Sequence, residues 1–449
     1  METVTLAFVT LFLTLVSGPQ TVAVSVTGPV ATVEVLLDGE SVGVMRGEPW
    51  RLNCDFGSLR PLTLEAVAYD AAGNERARAR QLVNLARPLV ETSFQLQLGP
   101  RGQPRAARLI WENAQGKEPK SIQVILDGRP IEDFDPLAIP LPAGDPDTVH
   151  FLSARLEFEG GVATHTEVSF GGSWAGETST KLTAVPVLRT KGKQRLTASD
   201  LSGSFLSGGR IAPVAAVEKT PPSIVIVADR SAFPVLEAIQ ELRLKGFSAT
   251  GISRELSPRV RHNETVRRRL TWLRPSSATM RVMSPYPFRP GSEQTEINLF
   301  PLTEPFALFR DGLMWLLCNV EWRPASSAIQ EITNAAAVAG LYLNHTASPR
   351  AVLVVLGTGS DRASTYSPEE VRRYLEAINV PLFVWTTSPG EHVDAWGEAT
   401  VVTSPSEFNA AWSSLQRNLE KQVIVWLDGA YLPNEIELSP SARGVALAR

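Results

Sequence analysis

Between residues 24 and 86, apolar and polar positions alternate in short runs separated by turn residues, and no helical period appears. That pattern predicts a small β-sandwich in which each strand buries one face. Val33 to Leu37 runs into Asp38-Gly39, a type I′ hairpin signal, and residues 62–69 run into a second turn at Asp70 to Asn74. Trp50 reads as a core residue of this sandwich. A second β segment spans residues 88–186, where SIQVILDGRPI repeats the first segment's VEVLLDGESV and so predicts two related sandwiches in tandem. Alternating runs on either side of Gly160-Gly161 predict a hairpin within it.

Beyond residue 220 the pattern changes. Ile224 to Val227 is an uninterrupted β-branched run, as expected of a parallel strand covered on both faces. Leu236, Ile239 and Leu242 then recur at helical spacing, with Pro234 in the first turn and Gly246 as the stop. Further strands are expected at 278–283, 351–356 and 380–385. Ser367-Pro368-Glu369-Glu370 and Ser404-Pro405-Ser406-Glu407 each start a helix with a capping signal. VIVWLDG, from Val423, is expected to complete the sheet. The fold class predicted is therefore multidomain: immunoglobulin-like β-sandwiches followed by a doubly wound α/β domain.

The expected organisation is a signal peptide at 1–23, a sandwich at 24–87 and a second β domain at 88–186. A polar, turn-rich connector follows at 187–219, then the α/β domain at 220–430 and a C-terminal strand or tail at 431–449. The signal rests on the apolar run from Leu6 to Val16, which is too short to span a bilayer and lacks a basic flank. No other stretch approaches transmembrane length, so no membrane span is expected in the mature chain.

Composition narrows the function classes. The net charge of −4 provides no global field for nucleic acid or anionic membrane. One basic cluster, Arg254 to Arg274 with Trp272 inside it, reads as a solvated helix face and not as a nucleic-acid groove. The two cysteines, Cys54 and Cys318, fall in different domains without a CxxC partner, which argues against a disulfide framework and against zinc. His150 and His165 lack a third ligand at recognisable spacing. Gly357-x-Gly359 follows a strand, but Arg362 stands where a dinucleotide fingerprint needs its third glycine. No Gly-x-Ser-x-Gly elbow, HExxH or P-loop is present, so no enzyme is expected.

Asp229 and Ser231 stand where the first α/β strand turns into its helix, and the carboxyl ends of such strands are where open sheets bind ligands. In ADRSAF these two residues resemble the Asp-x-Ser-x-Ser loop that opens von Willebrand factor type A domains. Together with LLDG, DAAGN, KLTAVPV, NLFPLTEPFALFRDGLMWLL and SARGVALAR, the chain resembles bacterial exported VWFA-related proteins along nearly its whole length. The resemblance implies an extracytoplasmic, periplasmic or secreted, non-catalytic protein that binds protein partners. It also implies a metal-ion-dependent adhesion site at Asp229, Ser231, Ser327, Thr358 and Asp361. Phe233 stands in place of the loop's second hydroxyl and Thr358 in place of its aspartate, which leaves too little charge for magnesium. The site is accordingly read as degenerate, with no cofactor; Asp361 is close enough to compensate through a shifted loop. A magnesium-dependent adhesion module and a hydrolase on the α/β domain are the competing readings.

Overall fold

A computed structural model of the chain describes residues 4–12, 14–85, 90–98, 104–113, 118–127, 129–141, 149–157, 163–171, 182–190, 196–244, 278–287, 300–303, 305–319, 329–344, 347–359, 361 and 363–449. Ser327, Gly246 and the Arg254 to Arg274 cluster lie outside the described residues. The chain divides into two compact units. The first comprises Met1–Ala86, Ala184–Leu427 and Tyr431–Arg449, and the second Arg87–Thr183 and Asp428–Ala430.

The first unit begins with seven strands: β1 (Thr5–Phe8), β2 (Pro19–Thr27), β3 (Thr32–Leu37), β4 (Glu40–Met45), β5 (Arg51–Asp55), β6 (Leu62–Tyr69) and β7 (Glu75–Val83). They form two sheets, ordered β1-β2-β5 and β4-β3-β6-β7, in an immunoglobulin-like sandwich. Val22, Val33, Val35, Leu62, Leu64 and Ala66 fill its core, with Trp50 packed against them. The alternation of burial along β3 follows from the two-residue period of a strand with one face inward. Asp38 and Gly39 both take positive φ, 50° and 83°, so the hairpin turn twists with its strands.

The second unit repeats this plan. Its strands are β8 (Val90–Leu98), β9 (Pro104–Asn113), β10 (Ser121–Leu126), β11 (Arg129–Ile131), β12 (Ile139–Pro140), β13 (Val149–Glu157) and β14 (Ala163–Gly171). They form sheets β12-β9-β8 and β11-β10-β13-β14, so each strand occupies the place of the one seven earlier in the chain. Asp127, with φ of 51°, stands where Asp38 stands in the first sandwich. This sandwich has its own core, including Ala107, Leu109, Val124, Leu152 and Leu156.

The segment expected to be a connector is folded. β15 (Leu182–Arg189), β16 (Phe205–Ser207), β17 (Arg210–Ile211) and β18 (Val214–Glu218) join strands from the end of the chain. Those partners are β25 (Gln422–Asp428), β26 (Ile436–Leu438) and β27 (Val445–Leu447), in sheets β18-β25-β15-β27 and β17-β16-β26. Val185, Val187, Phe205, Val425, Leu427 and Ile436 bury one another there, so the described part of 187–219 is more than a connector, and 431–449 contributes the strands β26 and β27.

Between them lie β19 (Ser223–Ala228), β20 (Thr279–Met283), β21 (Phe306–Ala307), β22 (Arg350–Leu356), β23 (Leu382–Thr386) and β24 (Thr400–Val401), in one sheet ordered β21-β20-β19-β22-β23-β24. Ile224 and Ile226 pack one face against helices Phe233–Leu244, Arg310–Asn319 and Pro405–Lys421, while Val225 and Val227 face helices Ile332–Asn344 and Pro368–Ala377. Arg350 opens β22 fully buried. Its guanidinium donates to the carbonyls of Leu343, Ile378 and Asn379 at 3.2, 3.3 and 3.3 Å, where two helices end. Burial lowers it to about 10, and the negative helix ends offset that desolvation.

The fold class read from the sequence needs correction. Among the described residues strand accounts for 42% and helix for 22%, and six of the seven sheets are small, with three or four strands each. The chain is therefore predominantly β and not sandwiches leading into a doubly wound domain. The six-stranded sheet pairs β20, β19, β22, β23 and β24 in parallel, and its β21 edge is antiparallel. The strand expected to complete that sheet, β25, instead pairs antiparallel with β18, Val217 opposite Val425. A continuous apolar run satisfies either partner equally well, so hydrophobic pattern alone could not choose.

Part of the segment 1–23 is folded into the first sandwich. β1 pairs with β2, and Phe12 packs edge-on against Phe56 with ring centroids 4.9 Å apart. Among the described residues no helix is long and apolar enough to cross a membrane.

Candidate functional site

Asp229 leaves the end of β19 in extended backbone and caps the turn that leads into the Phe233–Leu244 helix. Its own N–H bonds the Val355 carbonyl of neighbouring β22 at 2.8 Å, which brings the chain after β22 alongside. The side chain is wholly buried. Oδ1 accepts from the Ser231 N–H at 2.9 Å and from the Gln330 amide at 3.1 Å. Oδ2 accepts from the Ser231 hydroxyl at 2.5 Å and from the N–H groups of Gly357 and Gly359, both at 3.1 Å. Five donors thus converge on one carboxylate.

Glycine permits this closure. A Cβ at Gly357 would lie 2.2 Å from Ser231 Oγ and 2.4 Å from the Ala232 nitrogen, and one at Gly359 would lie 2.7 Å from Asp229 Oδ2. The paired glycines that mimic a dinucleotide motif therefore let the loop close on the carboxylate. Gly357→Ala is expected to destabilise the first unit by about 1–3 kcal/mol, because backbone must move to admit the methyl. Thermal melting checks this, and an unshifted transition would mean the loop is slack.

The surrounding groups are tied to the same network. Gln330 also accepts from the Arg230 N–H at 3.0 Å. His392 Nε2 lies 2.7 Å from the Gly357 carbonyl, which can only accept, so Nε2 carries the hydrogen. Burial raises the Tyr286 phenol; the neighbouring Arg230, which bonds it, opposes that shift and Asp229 adds to it.

Of the residues singled out in sequence, Asp229 and Ser231 come together. Thr358 sits exposed between the two glycines. Asp361 is engaged elsewhere: it accepts from the Thr333 N–H at 2.7 Å, the Thr333 hydroxyl at 2.5 Å and the Ser364 hydroxyl at 2.7 Å, capping the Ile332–Asn344 helix. Phe233 packs against the hydrophobic core. Gln330, His392 and Tyr286 carry no sequence signal, since each reaches the site from a separate segment, Gln330 and Tyr286 from loops and His392 from the short helix Glu391–Asp394.

These residues do not fit a resident divalent cation. Magnesium requires oxygen lone pairs at about 2.0–2.1 Å in octahedral array. Both Asp229 oxygens already face N–H or O–H hydrogens, and a cation would have to displace them. Among the described residues no group of three or more His, Cys, Asp or Glu is placed to hold a metal. A carboxylate engaged in this way is also a poor general base, which needs a lone pair directed at substrate. In the second unit, His150 Nδ1 lies 2.7 Å from Asp127 Oδ2 at a hairpin end. Burial raises the thiols of Cys54 and Cys318, which suppresses their reactivity.

No family model matches the chain, and no curated protein does. Among solved structures, the fibronectin(III)-like modules of Clostridium thermocellum CbhA align at 15% identity over 18% of this chain and 93% of theirs, with a TM-score of 0.17. The central fibronectin-III array of RIM-binding protein aligns at 11% identity over 45% of this chain and 84% of its own, with a TM-score of 0.21. Proximal thread matrix protein 1 from the mussel byssus aligns at 10% identity, covering 51% of this chain and 50% of that one, with a TM-score of 0.28. These TM-scores are low, and the two sandwiches are recognised by their own strand order.

Proposed function

We propose that the chain is a non-catalytic binding or scaffold protein that presents the carboxyl edge of its six-stranded sheet to a protein partner. The observation that carries this reading is the engagement of Asp229. Its carboxylate, in the position where a strand-end ligand would be held, is satisfied by five internal donors, so the edge is built as a rigid surface. Arg230 and Thr358 are exposed on that edge. A relationship to VWFA-related proteins and an extracytoplasmic setting are part of the proposal and rest on the sequence resemblance.

The test is affinity capture from fractionated native host, with the partner identified and its binding then measured on purified components. Arg230→Glu and Thr358→Arg should each weaken that binding at least tenfold, while Arg129→Glu on the second sandwich should leave it unchanged. Equal binding by all variants would place the interface elsewhere. Turnover of an ester or phosphate substrate that Asp229→Asn abolishes would replace this reading with the hydrolase.

A further inference from the structure

The segment 1–23 reads as a leader by hydropathy, yet β1 within it occupies a strand position that the fold defines twice. In the second sandwich the order β12-β9-β8 makes β8 the edge strand beside β9, and in the first the order β1-β2-β5 gives β1 that place beside β2. The register is continuous from Thr5 opposite Thr27 to Phe8 opposite Val24. Strand β5 depends on the next stretch of the expected leader, because its partners on β2 run from Pro19 opposite Asp55 to Ala23 opposite Arg51. A cut after Ala23 would remove β1 and every one of those β2–β5 pairs.

Two buried amides hold the stretch between β1 and β2. Gln81, 5% exposed, accepts from the Phe12 N–H and donates to the Thr10 carbonyl, each at 3.1 Å. Asn84, 3% exposed, accepts from the Val16 N–H and donates to the Val16 carbonyl, each at 2.8 Å. Each amide serves the segment with both of its polar atoms; the Asn84 amide nitrogen also donates to the Arg60 carbonyl at 2.8 Å, so it is the Asn84 Oδ1 acceptor that depends on the Val16 N–H. The segment also reaches the six-stranded sheet: Leu15 lies in the core formed with Val371, Tyr374 and Leu375, and the Ser17 side chain hydrogen-bonds the Tyr366 phenol.

We propose that residues 5–17 are a permanent brace that fixes the first sandwich to the six-stranded sheet and remains in the working protein. The groove between β2, Gln81 and Asn84 is then a strand-binding site whose ligand is the chain's own N-terminal segment. This goes beyond the proposed function, since it holds whatever the carboxyl edge binds.

The test uses the full chain with a protease site placed between Ser17 and Gly18 and cut after folding. The released segment should co-elute with the remainder on gel filtration. Stripping it in denaturant and refolding without it should lower the first unit's melting transition by several degrees. A synthetic peptide of residues 3–17 should restore that transition saturably, and Gln81→Ala with Asn84→Ala should weaken the peptide's binding at least tenfold. If the stripped chain does not refold, retention of the cut segment and the mass of the protein in its native host still decide. The brace predicts a native chain that starts at or before residue 5. A segment that dissociates without effect on melting, or a native protein starting near residue 24, overturns the proposal.

Discussion

Asp229→Ala should lower the stability of the first unit by about 3 kcal/mol or more, since each buried donor left without an acceptor costs about 1–3 kcal/mol. The Gly357 N–H and the Gln330 amide both lose Asp229 as acceptor, and the Ser231 N–H loses the bond that caps the turn. Gly359 is partly spared, because its N–H also reaches Ser231 Oγ at 2.8 Å. Asp229→Asn keeps the shape but points an amide N–H at donors, and should cost about 2 kcal/mol. Millimolar magnesium, manganese or calcium should leave the native melting transition unmoved. A site with a Kd tenfold below the metal concentration would add about 1.4 kcal/mol, which a melting curve resolves. A rise with magnesium that Asp229→Ala abolishes would restore the adhesion-site reading.

Tyr374→Ala should cost about 3–5 kcal/mol, the range for truncating a large, fully buried aromatic. Tyr374 sits on the Pro368–Ala377 helix, and its phenol, raised by burial, donates to the Asn84 carbonyl of the first sandwich at 2.9 Å. Leu15, Leu59 and Leu85 of the sandwich pack into the same cluster as Val371 and Leu375. The sandwich and the six-stranded sheet therefore share a core and are expected to unfold together. Hydrogen exchange should show β6 and β22 losing protection together in Tyr374→Ala. Tyr374→Phe should lose about 1 kcal/mol, the worth of one hydrogen bond. Full protection of β6 in the alanine variant would mean that the two parts fold separately.

The N-terminal segment shows that hydropathy alone leaves two readings open. Eleven residues, from Leu6 to Val16, carry an apolar run that suits a leader, but edge-strand residues that pack on a sandwich are apolar for the same reason. The repeat of strand order in the second unit supports the strand reading, and strand order is invisible in a sequence whose two copies share little more than one hairpin.

What the sequence determined by itself was local. Asp38-Gly39 dictated a tight turn because its two residues tolerate positive φ. Ser367 and Ser404 began helices because a serine oxygen at the cap satisfies an otherwise free amide; each accepts from the third N–H of its helix, at Glu370 and Glu407. Ile224 to Val227 announced a strand buried on both faces. Asp229 and Ser231 were legible as a strand-end pair since both lie within one turn. The tertiary structure alone decided which partner each strand took, and β25 and β18 met because their apolar faces could be buried together with Phe205 and Ile436. It also decided that Asp361 caps a helix while Gln330 and two glycine amides close around Asp229. A lone carboxylate is satisfied by whichever donors the packing of distant segments brings within about 3 Å, and no periodicity along the chain encodes that meeting.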